Sequence, residues 1–257
     1  MKYRLMKDNS NLDIFICTYK EFIPSVTNDA YKVLSTIRGG VDEYKLKSYF
    51  CDKVDLPMDE KFYSEFWHYK WVYENLPLKD YVGFCHYRKY FSFMDNVPDI
   101  DELFKTIDVI TARRLVFGTD MFGNYSACHN IEDLNICRTI ISEHFQDYLS
   151  AFDNAMKSQV FIPCNMFIMK KDDFIKYCDF VFGVLNKYVE IVGTDIKKRI
   201  EDNKDKYCEG KVYPGTEESY QYRIGGYLGE RLTNVFMFKN FVNAASYEMV
   251  TTEEKYK

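Results

Sequence analysis

The chain has no paired-cysteine motif, no apolar run of membrane length and no excess of basic residues, and each lack removes a class of protein. Its eight cysteines, at 17, 51, 85, 128, 137, 164, 178 and 208, include no C-x-x-C pair. Scattered in this way they read as free thiols in a reducing compartment, not as a disulfide framework or a zinc site. No stretch approaches the roughly 18 apolar residues that a membrane-spanning helix needs. The N-terminus MKYRLMKDNSNLDIF also lacks the apolar core of a secretory signal. The expectation is a cytoplasmic protein whose contact with a membrane, at the inner face of the cell membrane, is at most peripheral. A net charge of -5 argues against a general nucleic-acid-binding surface.

Common catalytic signatures are missing too. There is no G-x-x-x-x-G-K-S/T, G-x-G-x-x-G, G-x-S-x-G or H-E-x-x-H, which sets aside the commonest NTPase, dinucleotide, hydrolase and zincin chemistries. Asp-x-Asp, the pair that holds a divalent metal against a nucleotide diphosphate, occurs once, as Asp99-Ile100-Asp101. No strand precedes it, and Asp99 with Glu102 forms a capping-box-like helix start, so the metal reading is disfavoured. Magnesium or manganese is compatible with the chain but not required by it.

What is present is a globular composition of 257 residues, 47% hydrophobic and 28% charged, with 22 Tyr and 21 Phe. Such a chain can bury a sizeable core, and the expectation is one domain over residues 1–257. LDIFICTY reads as a buried strand, and NDAYKVLSTIRGG as a helix opened by Asn28 and stopped by Gly39. EKFYSEFWHYKWVYEN places Phe62, Phe66, Tyr69 and Tyr73 on one helical face, which core packing explains. YVGFC is a second strand and DVITA a third, followed by two helices over roughly 130–157. FIPCNMFIMK reads as a strand leading into a long helix whose Phe174, Cys178, Val181 and Leu185 share a face. A charged surface excursion at about 194–216 precedes a last helix over about 218–237. Strands alternating with helices predict an α/β fold with a mostly parallel central sheet flanked by helices.

In such sheets ligands bind beyond the carboxyl ends of the strands. That singles out Thr18, Tyr19 and Lys20 after the first strand, His86 to Lys89 after the second, and Asn165. Alternation along YVGFCH puts Val82, Phe84 and His86 on one face, so His86 emerges where burial ends. It is either satisfied by a backbone carbonyl or, with Arg88 and Lys89 beside it, part of an anion site. In the last helix, at 100° per residue from Ile224, Arg231 falls at about -20° and Leu228 at about 40°, which sets the arginine in the apolar stripe. It needs an anion, either a core carboxylate or a bound phosphate. Glu230 points about 100° away and is a solvated residue or a general base.

IFICTYKE, YSEFWHYKWVYEN, YVGFCHYRKYF, CNMFIMKKDDFIKYCDFVFGVL and RIGGYLGERLTNVF occur in the order seen in a bacterial family of capsular and exopolysaccharide biosynthesis. The chain resembles that family, which long carried only a domain-of-unknown-function label, from about Asp13 to Phe236. The resemblance implies a glycosyltransferase with a GT-A-like nucleotide-sugar fold, related to galactofuranosyltransferases of surface glycans. Position by position, His86, Tyr87 and Arg88 match its His-Tyr-Arg, Ser64 and Glu65 its Ser/Cys-Glu pair, Asn165 and Met166 its Asn-Met, and Gly226, Glu230 and Arg231 its Gly-x-x-x-Glu-Arg. Phe66-Trp67-His68-Tyr69-Lys70-Trp71 departs from the family's Trp-x-Trp-Lys helix, a region that would shape acceptor choice.

The expected chemistry is inverting sugar transfer from a nucleotide-diphosphate donor, most simply UDP-linked, to a hydroxyl of a lipid-linked or oligosaccharide acceptor. Thr18, Tyr19, Lys20, Gly39, Gly40, Ser64, Tyr87 and Asn165 would bind the donor, with His86, Arg88 and Arg231 on its diphosphate. Glu230 or Glu65 would take the acceptor proton, and His86 stands with them as a catalytic candidate. A non-catalytic binding module of the same fold, or another transferase of the same pathway, is the alternative.

Overall fold

The computed structural model describes residues 10–37, 45–211 and 218–252. Gly39 and Gly40 lie outside the described residues. The chain opens with β1 (Leu12–Thr18), β2 (Tyr31–Ser35) and β3 (Ser48–Phe50), then α1 (Glu60–Tyr63), α2 (Phe66–Asn75), β4 (Tyr81–His86) and β5 (Lys89–Phe91). It continues with α3 (Ile100–Leu103), β6 (Val109–Ala112), β7 (Leu115–Val116), α4 (Met121–Cys128), α5 (Ile131–His144) and α6 (Leu149–Lys157). β8 (Val160–Phe161), β9 (Phe167–Lys170), α7 (Lys171–Val192), α8 (Ile196–Asp202) and α9 (Lys204–Tyr207) follow. The described chain closes with α10 (Glu218–Gln221), α11 (Ile224–Asn240), β10 (Ala244–Tyr247) and β11 (Met249–Thr251).

The main sheet has the order β10-β6-β9-β4-β1-β2-β3, with β5 and β11 as an antiparallel extension from β4. Along that order only β9 runs against its neighbours, so the sheet is mostly parallel, as the alternation of elements predicts. The reversal matters for the site. Phe84 pairs with Phe167, so the residues that precede β9 arrive at the same end of the sheet as the residues that follow β4.

Each strand delivers one set of side chains to each face. Phe15, Cys17, Leu34, Val82, Phe84 and Phe167 pack into a large aromatic core under the helices, α2, α7 and α11 among them. Ile14, Ile16, Tyr31, Val33, Cys85 and Ile168 face a second core covered by α3 and the segments around Phe22, Phe91 and Phe93. Phe174, Cys178, Val181 and Leu185 of α7 are all buried, as their shared face requires.

Four elements depart from the sequence-based expectation. NDAYKVLSTI holds the strand β2 and not a helix: Tyr31 and Val33 fill one core and Leu34 the other, a two-sided burial whose apolar run carries no helical or strand period. The helix expected over EKFYSEFWHYKWVYEN breaks at Ser64 into α1 and α2. FIPCNMFIMK is two short strands, β8 and β9, interrupted at Pro163, Cys164 and Asn165. The last helix is two, α10 and α11, and it runs on to Asn240. The excursion after α7 is helical in its first half, and Arg199 and Tyr207 tie it to the buried Asp133. All eight cysteines are free thiols.

Candidate active site

Among the described residues, four non-glycine residues take positive φ: Ser64 (53°), Met94 (42°), Cys164 (64°) and Asn165 (51°). Three of them meet at the carboxyl ends of β1 and β4. Left-handed backbone costs on the order of 1–3 kcal/mol at a side-chain-bearing residue and persists only where the surroundings enforce it. Here they enforce it twice.

At the first break, Asp59 caps α1 by accepting from the Phe62 amide, and Ser64 ends the turn. α11 crosses this point so closely that a Cβ on Gly226 would stand 2.7 Å from Ser64 Oγ. Arg223 Nε donates to the same hydroxyl at 2.9 Å. The kink turns Glu65, which begins α2, toward the strand ends. At the second break, Tyr69 donates its hydroxyl to the Asn165 carbonyl at 2.8 Å. The Cys164 amide donates to Glu230 Oε1 at 3.0 Å. His86 lies with Nε2 2.7 Å from the Cys164 carbonyl, and because a carbonyl only accepts, that nitrogen carries the proton. Asn165 Nδ2 donates to Glu65 Oε1 at 2.7 Å. The strained Cys164-Asn165 pair therefore fixes Glu65, His86 and Glu230 at once.

These residues line an open cleft of about 530 Å³. Tyr19 and Lys20 enter from the end of β1, His86, Tyr87, Arg88 and Lys89 from the end of β4, and Ser64 and Glu65 from the helix break. Arg223, Gly226, Tyr227 and Glu230 come from one face of α11 and its start, with Tyr220 beside them. The Arg88 guanidinium lies over the Tyr87 ring, 5.1 Å from its centre. Lys89 Nζ donates to Cys164 Sγ at 3.0 Å. Lys20, Arg88, Lys89 and Arg223 set four fixed positive charges against the two carboxylates Glu65 and Glu230, a surplus of two in a chain whose net charge is -5.

Glu230 is the most elaborately held of the charged groups. Its second oxygen accepts from Arg231 Nη1 at 2.9 Å, and Arg231 Nη2 reaches Asn124 Oδ1 at 2.8 Å. The guanidinium lies over the rings of Tyr125 and Phe161, 5.1 and 5.2 Å from their centres. Burial pushes the Glu230 carboxyl above its ordinary 4.5, Arg231 pulls it back, and the nearby Glu65 charge pushes it up again. Arg231 is 4% exposed and lies outside the cleft lining, so the anion that its place in the apolar stripe demands is its own neighbour, Glu230. A helical wheel separates the two by about 100°, but the long side chain reaches back across the face.

Other expected donor contacts are also behind the lining. Thr18 is buried, its hydroxyl donating to the Lys20 carbonyl and its own carbonyl meeting His68 Nε2 at 3.1 Å, so it shapes the Tyr19-Lys20 turn. Asn165 is 1% exposed and meets the cleft only through Glu65. Asp99 caps α3, and Asp101 accepts from Asn11, away from the cleft. Among the described residues no three His, Cys, Asp or Glu side chains are grouped to hold a metal ion. Arg223, Tyr220 and Tyr227 were not foreseen. A wheel centred on the cleft face, with Arg223, Gly226, Tyr227 and Glu230 at offsets of three, four and seven, would have shown them together.

The comparisons agree with this picture at the level of family and fold. A family described only as a domain of unknown function, DUF4422, matches residues 13–241, and the chain belongs to it. Among solved structures, the apo form of WbbM, a bifunctional glycosyltransferase, superposes with a TM-score of 0.71 at 18% identity. The match covers 95% of this chain and 46% of that one, so this chain spans about half of its structural relative. The likeness is one of fold, and it fits the α/β architecture with a mostly parallel central sheet expected from the sequence. No curated protein matches the chain significantly.

Proposed function

We propose that the protein transfers a sugar from a nucleotide-diphosphate donor to a hydroxyl of a growing surface glycan. The observation that carries the reading is the cationic cleft of an acidic protein, placed at the carboxyl ends of β1 and β4 with two oriented carboxylates inside it. A diphosphate bears a negative charge on each phosphate, and Lys20, Arg88, Lys89 and Arg223 meet that need. The fold shared with a glycosyltransferase supports the same class of chemistry.

In this reading Tyr19 and Lys20 border the nucleoside, and Arg88, Lys89 and His86 face the diphosphate. Glu230 is the general base: its raised carboxyl is better matched to a hydroxyl proton than an ordinary one, and two donors hold it in place. The acceptor oxygen bonds to the anomeric carbon as the bond from that carbon to the diphosphate oxygen breaks. The electron pair leaves with the diphosphate, where the cations stabilise it, and the acceptor proton passes to Glu230. A single displacement of this kind inverts the anomeric centre. Arg231 acts through Glu230 as a positioning residue. Ser64 and Asn165 shape the cleft walls. The acceptor is a lipid-linked or free oligosaccharide met at the inner face of the cell membrane; among the described residues no helix is long and apolar enough to cross a membrane.

The test is a thermal-shift screen with UDP-, GDP- and CMP-linked sugars, followed by an assay for nucleotide release. Stabilisation by one donor class with release upon addition of acceptor is the expected result. Binding without release identifies a non-catalytic module, and preference for a nucleoside triphosphate identifies a different transferase; either outcome overturns the assignment. Turnover in a chelator assigns the leaving charge to the cations alone, whereas loss restored by magnesium or manganese assigns part of it to a metal.

A further inference from the structure

The wall of the cleft beside Glu230 is aromatic, and its rings are held in place by residues with no part in the chemistry described above. Tyr227 stacks on His129 with ring centres 3.9 Å apart and planes 22° apart. Tyr220 lies against both, 5.2 Å from Tyr227 and 6.2 Å from His129. The Tyr227 hydroxyl donates to the Tyr220 carbonyl at 3.1 Å. His129 is buried, and its Nδ1 meets Gln221 Oε1 at 3.2 Å, an oxygen that only accepts, so that nitrogen is the donor. Gln221 in turn donates to the Cys128 carbonyl at 3.0 Å. Burial first, and then the Arg231 charge, lower the His129 pKa to about 3, so at neutral pH the ring is an uncharged stacking partner. Tyr220 and Tyr227 themselves keep partial exposure and line the cleft.

We infer that Tyr220 and Tyr227 form the acceptor platform, a rigid surface on which the C–H face of a pyranose ring packs while its hydroxyl is presented to Glu230. The inference rests on Glu230 being the base. A base must stand within about 3 Å of the oxygen it deprotonates. The body of the acceptor therefore lies against whatever flanks Glu230 on the cleft side of α11, and one turn back on that face is Tyr227. The cations Arg88 and Lys89 enter the cleft from the end of β4 and not from α11. A sugar ring has an apolar face and a polar rim, and tyrosine rings fixed from behind bury the first while leaving the second in water. Because the His129 stack and the Tyr227–Tyr220 hydrogen bond already hold the rings, ordering them on binding costs little.

The probe is saturation-transfer NMR with methyl β-D-galactopyranoside and methyl β-D-glucopyranoside, with the protein's aromatic protons irradiated and UDP present. The wild type should transfer saturation to ring C–H protons of at least one glycoside. Tyr220→Ala and Tyr227→Ala should each weaken that signal about fivefold or more, the loss of roughly one stacking contact. Tyr220→Phe should retain it, and UDP affinity should stay within about twofold of wild type in all three. Tyr220 is half-buried in a short helix, so its alanine variant remains informative if Tyr227→Ala fails to fold. No transfer to either glycoside, or an undiminished signal in both alanine variants, overturns the inference. A tenfold loss of UDP affinity also overturns it, because the rings would then be a nucleobase platform. If the wild type binds glycoside through these rings but no nucleotide, the platform stands and the transferase reading falls.

Discussion

Glu230 has both oxygens engaged and still faces the cleft, an arrangement that would orient the proposed base without hiding it. Glu230→Gln should cut transfer by about 10²–10⁴-fold while leaving donor affinity nearly unchanged, read as a loss in kcat with little change in donor KM. The raised carboxyl gives a sign for the pH profile. The proposed base works when ionised, so kcat/KM should fall as pH drops through the raised pKa, with the acid limb above the ordinary 4.5. Among the groups that lower it Arg231 acts most strongly, ahead of the Cys164 amide and His86, so Arg231→Gln should move that limb to higher pH. A merely structural arginine would lower stability and leave the limb where it was. Arg88→Ala should abolish transfer with the melting temperature preserved, since the side chain is exposed and the ring beneath it packs without it. The placement of these residues was largely legible: His86, Arg88, Glu65 and Glu230 were singled out from the sequence, and the structure brings all four to one cleft. Arg231 shows the limit. Its burial and its need for an anion could be read from the stripe, but the partner next to it in sequence could not, because the wheel records directions at the backbone and not the reach of a long side chain.

At the scale of elements, α11 seats itself on α1 and α2 through glycines. Cβ atoms on Gly225 and Gly229 would meet the Phe62 and Phe66 rings at 2.5 Å, and one on Gly226 would meet Ser64. Gly226→Ala should cost about 1–3 kcal/mol, measured by urea denaturation, through overpacking against a residue that has no room to retreat. It should also lower turnover, because the displaced Ser64 carries Glu65 with it. This is why the helix break was illegible. Phe62, Phe66, Tyr69 and Tyr73 do mark a helical face, but the kink at Ser64 is imposed by α11, more than 150 residues later in the chain. The same holds for the interruption before β9, where Cys164 and Asn165 are held in a conformation their own propensities oppose, Cys164 by contacts from His86 and Glu230 and Asn165 by the Tyr69 hydroxyl. For β2 the failure was different: Tyr31 and Leu34 are buried on opposite faces of a parallel sheet, which erases the alternation that announces a strand.

Across the whole molecule, two buried histidines link stability to pH. Burial lowers the His68 pKa to about 4 and that of His129 to about 3, against 6.5 for the free ring. With folded pKa values below the unfolded ones, the unfolded chain binds more protons below 6.5. Their contribution is therefore intact above that pH and is lost as pH falls from 6.5 toward 4 and 3, an effect on the order of a few kcal/mol in total. Urea midpoints measured from pH 7 to 4 should fall accordingly, and His129→Phe, which keeps the stack, should flatten part of the slope. The charge distribution acts at this scale as well. A cleft with surplus positive charge in a chain of net charge -5 draws anions to one place, and that attraction weakens with salt. The account therefore stands on donor binding in that cleft. Calorimetric titration of UDP-galactose and its UDP-, GDP- and CMP-linked counterparts into wild type and Arg88→Ala tests it most directly. The account predicts saturable binding of one donor class to the wild type, weakened about tenfold or more by Arg88→Ala at an unchanged melting temperature. Absence of binding for every donor, or equal affinity in the two proteins, would contradict it.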